Sequence, residues 1–428
     1  MFQMRVEHDP FAVILEDTRL RLQTERCDGK EDPEAVRQAI LASLGSYERT
    51  AERDGLPDLA DPTDMFRRVF DTVVSYGPLT HLLADPEIEE ILIEGDDVLY
   101  IDRTGALKGD TTPSVGDEIE KAVRRLLKRS TSHRDLNDTS PIVCCGVLDG
   151  TARLIAVQTP VVKNGLSVSI RKQVWKHVTL SILLEAGSLS REAAGFLWTV
   201  MRVRSSLLIS GQPGAGKTSL LAALLDAEPP EHVLRCCEEV QELPHARHAA
   251  GYYEAQDRPG QRLRDLVRLV LGMRPYRIVI GEVKGEEAYE LTRAANAGCG
   301  FCCTIHANSA SDALEALVSA ALMAGENVAE AHLRRVFGRT IQFVVHLDMA
   351  MTDEGIQRRV MEIAYVQSDL NGSGFVLQPL FTRDTLSSPL VWKGVEPPDP
   401  VLLALLNREL ASQDLTVHDV LVGRGSPL

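Results

Sequence analysis

The chain has 428 residues, is 44% hydrophobic and carries a formal net charge of −15 at pH 7. That length points to more than one domain, and the apolar content is ordinary for a protein that builds real cores. The acidic balance argues against a broad nucleic-acid surface, whose phosphates would need excess lysine and arginine, although a local basic patch stays open; no run of about eighteen apolar residues reads as a membrane span.

Met1 to Glu7 lacks the apolar core of a signal peptide, so a cytosolic protein is expected. Among the eight cysteines are three adjacent pairs, Cys144-Cys145, Cys236-Cys237 and Cys302-Cys303. None completes a zinc ligand set, and reduced, buried thiols are expected. Residues 1–60 read as a helical extension, with helical segments near Val13-Ile14-Leu15 and from Ala35 to Leu44. Residues 61–172 read as a small mixed α/β domain. Helix is expected at Met65 to Phe70, broken at Gly77-Pro78, and again around Ile119 to Leu127. Strands are expected at Ile91 to Gly95, Val98 to Ile101, Val143 to Leu148, Ala152 to Val157 and Ser167 to Ile170, with Asp149-Gly150 as a hairpin turn.

Residues 173–180 read as a linker, and 181–395 as the main α/β domain. After a helical pair to about Val203, the run Ser205 to Ser210 feeds a loop with three glycines and then an apolar helix. Gly211-Gln212-Pro213-Gly214-Ala215-Gly216-Lys217-Thr218 fits G-x-x-x-x-G-K-[ST] at every fixed position, and Ser219 continues it into the helix. Glycines let backbone N–H groups turn inward around phosphate oxygens, and the following helix adds its positive dipole end. Lys217 would reach the outer phosphates and Thr218 would hold Mg²⁺. The bland alternative is a glycine-rich turn before an ordinary helix.

Further strands are expected at Val233 to Cys237, ending on Glu238, Glu239 and Glu242, and at Arg277 to Gly281, ending on Glu282. A fourth, Phe301 to Ile305, ends on His306. Between them an amphipathic helix carries Leu263, Leu266, Val267, Val270 and Leu271, with Arg262, Arg264 and Arg268 on its exposed face. Helix is also expected from Gly285 to Asn296 and after a capping signature at Ser309. Strands alternating with helices at this spacing predict an open parallel sheet with its functional groups at the C-terminal strand ends. Strands at Ile341 to Leu347 and Arg358 to Gln367, joined by a charged turn at Asp353-Glu354-Gly355, and at Phe375 to Leu380 complete the domain. Residues 396–428 read as a tail with one helix, Val401 to Leu410, and a frayed end.

This constellation supports ATP hydrolysis, by attack of water on the γ-phosphoryl group. Glu282 stands where an acidic residue holds Mg²⁺ or polarises the attacking water; Glu238 or Glu242 could orient that water or a metal-bound one; His306 is placed to sense the γ-phosphate. Each has a duller alternative: a helix cap for Glu282, a solvated acidic turn for the glutamate cluster, a core or capping role for His306. Counter-charge beyond Lys217 is needed, and Arg153, Arg171, Arg274 and Lys284 are candidates.

These motifs resemble those of the secretion ATPases of type II and type IV secretion systems and type IV pili, and within them the CpaF-like branch of tight-adherence (Flp) pili. Tyr76-Gly77-Pro78-Leu79, Leu148 to Arg153 and Ile170-Arg171-Lys172 match the family's N-terminal domain. Gly211 to Thr218 resembles its Walker A motif, Arg235 to Glu239 with Glu242-Leu243 its acidic box, Arg277 to Gly285 its Walker B region, and Thr304 to Asn308 its histidine box. The resemblance implies a RecA-like P-loop ATPase domain with a parallel-rich sheet, preceded by a smaller mixed α/β, PAS-like domain. It also implies a homo-hexameric ring using ATP and Mg²⁺ at the cytoplasmic face of the inner membrane, driving pilin or substrate transport through a membrane platform protein. Arginines of the N-terminal domain, here Arg153 or Arg171, or of a neighbour, would complete the site; no direct nucleic-acid partner is expected. The chain departs from the pattern at Cys299, where a first histidine is expected, at Glu239, at Lys284, and at Cys144 to Val147. The missing histidine and the altered acidic box motivate one alternative to a working motor, a nucleotide-gated scaffold with little turnover; a second, a conjugation-type or DNA-associated ATPase of the same fold, has the acidic balance against it.

Overall fold

A computed structural model describes residues 9–24, 32–112, 117–130, 134–173, 177–244, 249–256, 258–352, 355–371 and 374–428. Met1 to Glu7, Cys27, Val174 to Lys176 of the expected linker, and Asp353-Glu354 of the expected charged turn lie outside the described residues. Internal contacts divide the chain into two compact units, 1–174 and 175–428.

The first unit begins with three helices, α1 (Pro10–Thr24), α2 (Pro33–Asp54) and α3 (Pro62–Val74). Asp32 caps α2, accepting from the N–H groups of Glu34 and Ala35 at 3.1 and 3.0 Å, and Asp61 caps α3 in the same way; each is followed by a proline, whose missing N–H costs nothing there. Phe11, Ile14, Val36, Ile40 and Val69 bury between the three helices, so this helical segment has a core of its own. Then follow α4 (Thr80–Ala84), β1 (Ile88–Glu94), β2 (Asp97–Asp102), β3 (Leu107–Gly109), α5 (Glu118–Lys128), β4 (Ile142–Val147), β5 (Ala152–Gln158) and β6 (Leu166–Lys172). The strands form an antiparallel sheet in the order β3-β2-β1-β6-β5-β4. Its alternate residues, such as Ile91, Ile93, Leu154 and Ile170, pack with Val123 and Leu126 of α5. The turn at Asp149-Gly150 joins β4 to β5 as expected, with Leu148 to Gly150 all in the left-handed region.

The second unit contains α6 (Leu180–Glu185), α7 (Arg191–Met201), β7 (Leu207–Gly211), α8 (Lys217–Ala227), β8 (Leu234–Glu238), β9 (Ala250–Glu254), α9 (Leu263–Leu271), β10 (Arg277–Val283), α10 (Ala288–Asn296) and β11 (Gly300–Ile305). It continues through α11 (Ala310–Leu322), α12 (Glu330–Thr340), β12 (Phe343–Thr352), β13 (Gly355–Asn371), β14 (Gly374–Thr382), β15 (Val391–Trp392), α13 (Pro400–Leu410) and α14 (Val417–Leu421). Its sheet runs β15-β14-β13-β12-β7-β11-β10-β8-β9. The strands from β12 to β9 are parallel, while β13, β14 and β15 pair antiparallel, so the sheet is mixed where an open parallel one was expected. Period-2 alternation splits each central strand between two cores. Leu207, Ile209, Val279 and Cys302 face α7, α8, α13 and α14; Leu208, Ile278, Ile280, Phe301 and Cys303 face α9 to α12.

The chain end is not frayed. Thr416 and Asp419 form a reciprocal capping box, and Val417, Val420 and Leu421 are buried with the core beside α7. Arg264, expected to be exposed on α9, is instead tucked among Glu286, Glu290 and Glu326 at 3.1, 2.9 and 2.6 Å. Arg277 opens β10 fully buried. Its Nε donates to Glu228 at 3.1 Å, and its Nη atoms donate to the carbonyls of Met201, Val203 and Ser205. One arginine thereby closes the carbonyls at the end of α7 and ties them to the start of the sheet. The described cysteines are free thiols; all but half-buried Cys144 are buried, as expected.

Candidate functional site

The site is built on the C-terminal ends of four parallel strands. β7 is buried throughout and delivers Gly211 to its tip. There the strand lies so close to β12 that a Cβ on Gly211 would collide with the Leu347 carbonyl. Gly214 and Gly216 adopt φ of +81° and +93°, which side chains other than glycine rarely tolerate. Gln212, Pro213 and Gly214 are exposed at the crest of the loop, Ala215 is buried beneath it, and Lys217, Thr218 and Ser219 form the first turn of α8.

Lys217 is 6% exposed. Its Nζ donates to the carbonyls of Gly211 and Gln212 at 2.9 and 3.0 Å, and to Nδ1 of His306 at 2.8 Å. An ammonium only donates, so Nδ1 accepts and the imidazole proton sits on Nε2. That Nε2 is 2.5 Å from Oε1 of Glu282, whose Oε2 pairs with Lys284 at 2.9 Å. Lys284 also pairs with Glu239 at 3.0 Å. Lysine, histidine, glutamate, lysine and glutamate thus alternate across the ends of β7, β11, β10 and β8. Burial alone would push the Glu282 carboxyl up, but the hydrogen bond and charge of Lys284, with the charge of Lys217, outweigh it and hold the group below its ordinary value. Thr218 Oγ1 lies 3.5 Å from Glu242.

Two expected site residues stand elsewhere. Glu238, expected as a catalytic and metal-binding group, lies behind the cluster, 4% exposed. Its oxygens accept from the N–H groups of Glu242 at 3.1 Å and Leu243 at 3.1 and 3.3 Å, so it organises the loop that presents Glu242. Gly281 makes room for it, since a Cβ there would sit 2.8 Å from Glu238 Cγ. Arg274, expected as a nucleotide ligand, precedes β10 and lies at the opposite end of that seven-residue strand from Glu282. At about 3.3 Å per residue it is some 20 Å away and takes no part in the cluster. Cys299 precedes β11 at that same far end, its thiol against the carbonyls of Pro275 and Tyr276 at 3.6 and 3.7 Å, so this departure does not touch His306. Arg153 and Arg171 belong to the first unit; Arg171 is exposed beside Glu90 at 3.5 Å, and Arg153 Nη2 lies 3.6 Å from the Cys144 sulfur.

Sequence reading missed His346, Met349 and Arg358. His346 sits inside the apolar run of β12, and its Nδ1 is 3.0 Å from Ser210 Oγ; burial pushes its pKa down, which keeps it neutral. Arg358 Nε donates to the Gly214 carbonyl at 2.8 Å. A histidine in an apolar strand and an arginine in a mixed one carry no motif, so no local signal marks them.

Burial, with the Glu242 and Glu254 charges nearby, raises the Glu238 pKa to about 8 against its backbone hydrogen bonds. A carboxyl whose folded pKa lies above its unfolded 4.5 favours the folded state most below pH 4.5 and loses that contribution as pH rises towards 8. The melting temperature of Glu238→Gln is therefore expected to fall less than that of the wild type between pH 5 and pH 8.5, as read by thermal melts across that range.

The donor set fits a nucleoside triphosphate. The loop leaves no space for side chains at Gly211, holds two glycines at positive φ, and ends on a buried lysine at a helix N-terminus. The oxygens of Thr218, Glu242 and Glu282 suit Mg²⁺, which is usually held by one or two carboxylates together with waters and substrate phosphates.

Residues 148–351 match the family described as Type II/IV secretion system protein. The putative conjugal transfer protein Rv3659c of Mycobacterium tuberculosis (strain H37Rv) is 31% identical over 304 residues, 68% of this chain and 84% of that protein. The type IV secretion system protein VirB11 of Brucella suis is 26% identical over 321 residues, 67% and 88% of the two chains. Among solved structures, the VirB11 ATPase of Brucella suis in complex with sulphate aligns over 67% of this chain and 92% of its own at 24% identity and a TM-score of 0.37. The pilus retraction motor PilT with bound ADP aligns over 80% and 91% at 16% identity and a TM-score of 0.49. The match to Rv3659c over most of that protein's length, together with the family match of residues 148–351, which hold the loop, Glu282 and His306, shows that the chain belongs to the type II/IV secretion system ATPase family.

Proposed function

We propose that the chain is a Mg²⁺-dependent ATPase that powers pilus assembly or protein secretion as a hexameric ring, with a RecA-like P-loop domain preceded in the sequence by a smaller PAS-like one. The observation that carries the reading is the chain of contacts from Lys217 through His306 to Glu282, which joins the glycine loop to the acidic end of β10. Bound Mg²⁺ would supply charge neutralisation on the phosphates. Lys217 and the N–H groups opening α8 would neutralise the outer phosphates, and Thr218 and Glu282 would hold the metal. Glu282, ionised and fixed at both oxygens, would orient or polarise the attacking water, while Glu242 is a second acceptor at the same edge. His306 would report phosphate occupancy at Lys217 to Glu282, since it touches both. Arg153 and Arg171 are proposed to add counter-charge from the first unit or from a neighbouring subunit.

VirB11 of Brucella suis is named a type IV secretion system protein, which supports a secretion role here; a membrane platform protein is the proposed partner. The proposed location is the cytoplasmic face of the inner membrane. No helix among the described residues is long and apolar enough to cross a membrane. The experiment is phosphate release by purified protein with Mg²⁺ and with excess EDTA, beside light scattering for mass. Metal-dependent turnover from a particle of about six chains is expected; metal-independent turnover or a monomer with and without ATP would contradict the reading. The name of Rv3659c favours a second reading, a conjugation ATPase. DNA-stimulated turnover would favour it, and its absence would remove it.

A further inference from the structure

All three glycines of the loop are opposed by the two strands β12 and β13. A Cβ on Gly211 would meet the Leu347 carbonyl, one on Gly214 would lie 3.3 Å from the sulfur of Met349, and one on Gly216 would lie 3.6 Å from Cδ of Arg358. Met349 and Arg358 face each other as a cross-strand pair. The crest of the loop therefore lies under one rung of an antiparallel ladder, and at Gly211 the close approach of β12 itself leaves no room for a side chain.

Within the crest, the peptide between Gly214 and Ala215 is held at both ends. The Gly214 carbonyl accepts from Arg358 Nε at 2.8 Å, and the Ala215 N–H donates to the Gln212 carbonyl at 3.2 Å. A glycine peptide is the one most free to rotate. Rotated, it would turn a carbonyl dipole towards the inside of a loop whose task is to present N–H groups to negative charge. The contact with a charged guanidinium is the stronger kind of hydrogen bond available to oppose that rotation.

We infer that Arg358 is a positioning residue of the nucleotide site: with Met349 packed on Gly214, it pins the Gly214 carbonyl to β13 and so sets the phosphate loop in its anion-binding form. This rests on the reading of the loop as an ATP site. It also makes the antiparallel extension of the sheet part of the site, so that a displacement of the β12–β13 ladder changes nucleotide affinity.

The test is equilibrium titration of the purified full chain with a fluorescent ATP analogue, alongside melting curves without nucleotide. Arg358→Met keeps an unbranched stem over Gly216 and removes the donor; Arg358→Lys keeps a donor. Arg358→Met is expected to weaken binding about tenfold or more, the scale of a hydrogen bond to a charged group. Its melting temperature without nucleotide changes far less, and Arg358→Lys recovers most of the affinity. Arg358→Leu, which also lacks a donor, gives the same comparison if Arg358→Met does not fold. Wild-type affinity in Arg358→Met, or a loss in Arg358→Lys as large as in Arg358→Met, would overturn the inference while leaving the ATPase reading intact. A wild type that binds no analogue would overturn both.

Discussion

Lys217→Ala is expected to lower ATP turnover about a hundred- to a thousandfold, the usual cost of removing one preorganised group that stabilises transition-state charge. The expectation follows from its surroundings. Lys217 is buried at the N-terminus of α8, and its ammonium is shared by two loop carbonyls and His306. Alanine removes the charge and also leaves His306 without its Nδ1 donor, so the imidazole loses the contact that fixes its tautomer. The second effect separates this lysine from a simple phosphate ligand. His306→Ala should lower turnover with a smaller loss of nucleotide affinity than Lys217→Ala, because it breaks the connection to Glu282 and spares the loop. Phosphate release and analogue binding measured on both variants check the pair; equal losses of affinity would mean that His306 serves the loop alone.

Arg277→Met is expected to destabilise the protein by about 3–5 kcal/mol, the cost of leaving one partner of a buried ion pair uncompensated. Arg277 and Glu228 are both without exposure in their side chains, and the guanidinium also closes three main-chain carbonyls between the end of α7 and the start of β7. In a unit of this size that corresponds to a drop in melting temperature of roughly 10 °C. The double variant Arg277→Met/Glu228→Leu should recover part of the loss, since removing both charges ends the unpaired burial while the orphaned carbonyls remain. Thermal melts of the two variants decide it. If Arg277→Met melts within about 2 °C of the wild type, the buried pair does not anchor the sheet.

Much of this was legible in the residues because local pattern and global role agreed. The continuous apolar runs at Leu207 to Ile209 and Ile278 to Ile280 are buried on both faces, as such runs should be in parallel strands. The glycine loop, Glu282 and His306 each follow such a run, and the sheet order carries them to one edge. What was not legible lacked a period or depended on distant partners. β9 is a half-buried edge strand with no apolar run, and α12 buries only Leu333, Phe337 and Gly338 of its eleven residues. Glu238 and Glu242 look alike in sequence; only the fold turns the first inward to hold a loop and leaves the second beside Thr218. Arg264 and Arg277 read as ordinary surface and strand-start arginines until the carboxylates around them come from elsewhere in the chain, Glu290 and Glu326 for one and Glu228 for the other. Arg274 shows the converse. It has the charge that a triphosphate site needs and stands at the wrong end of its strand.

The most direct test of the central claim is steady-state phosphate release from Mg-ATP by the purified wild type beside Glu282→Gln. Glutamine preserves an acceptor for the His306 Nε2–H but gives up the charge that pairs with Lys284 and polarises water. A wild type that turns over, with Glu282→Gln at least about a hundredfold slower and binding nucleotide as tightly, is the predicted result. Equal turnover in the two proteins, or none in either while nucleotide still binds, would contradict it.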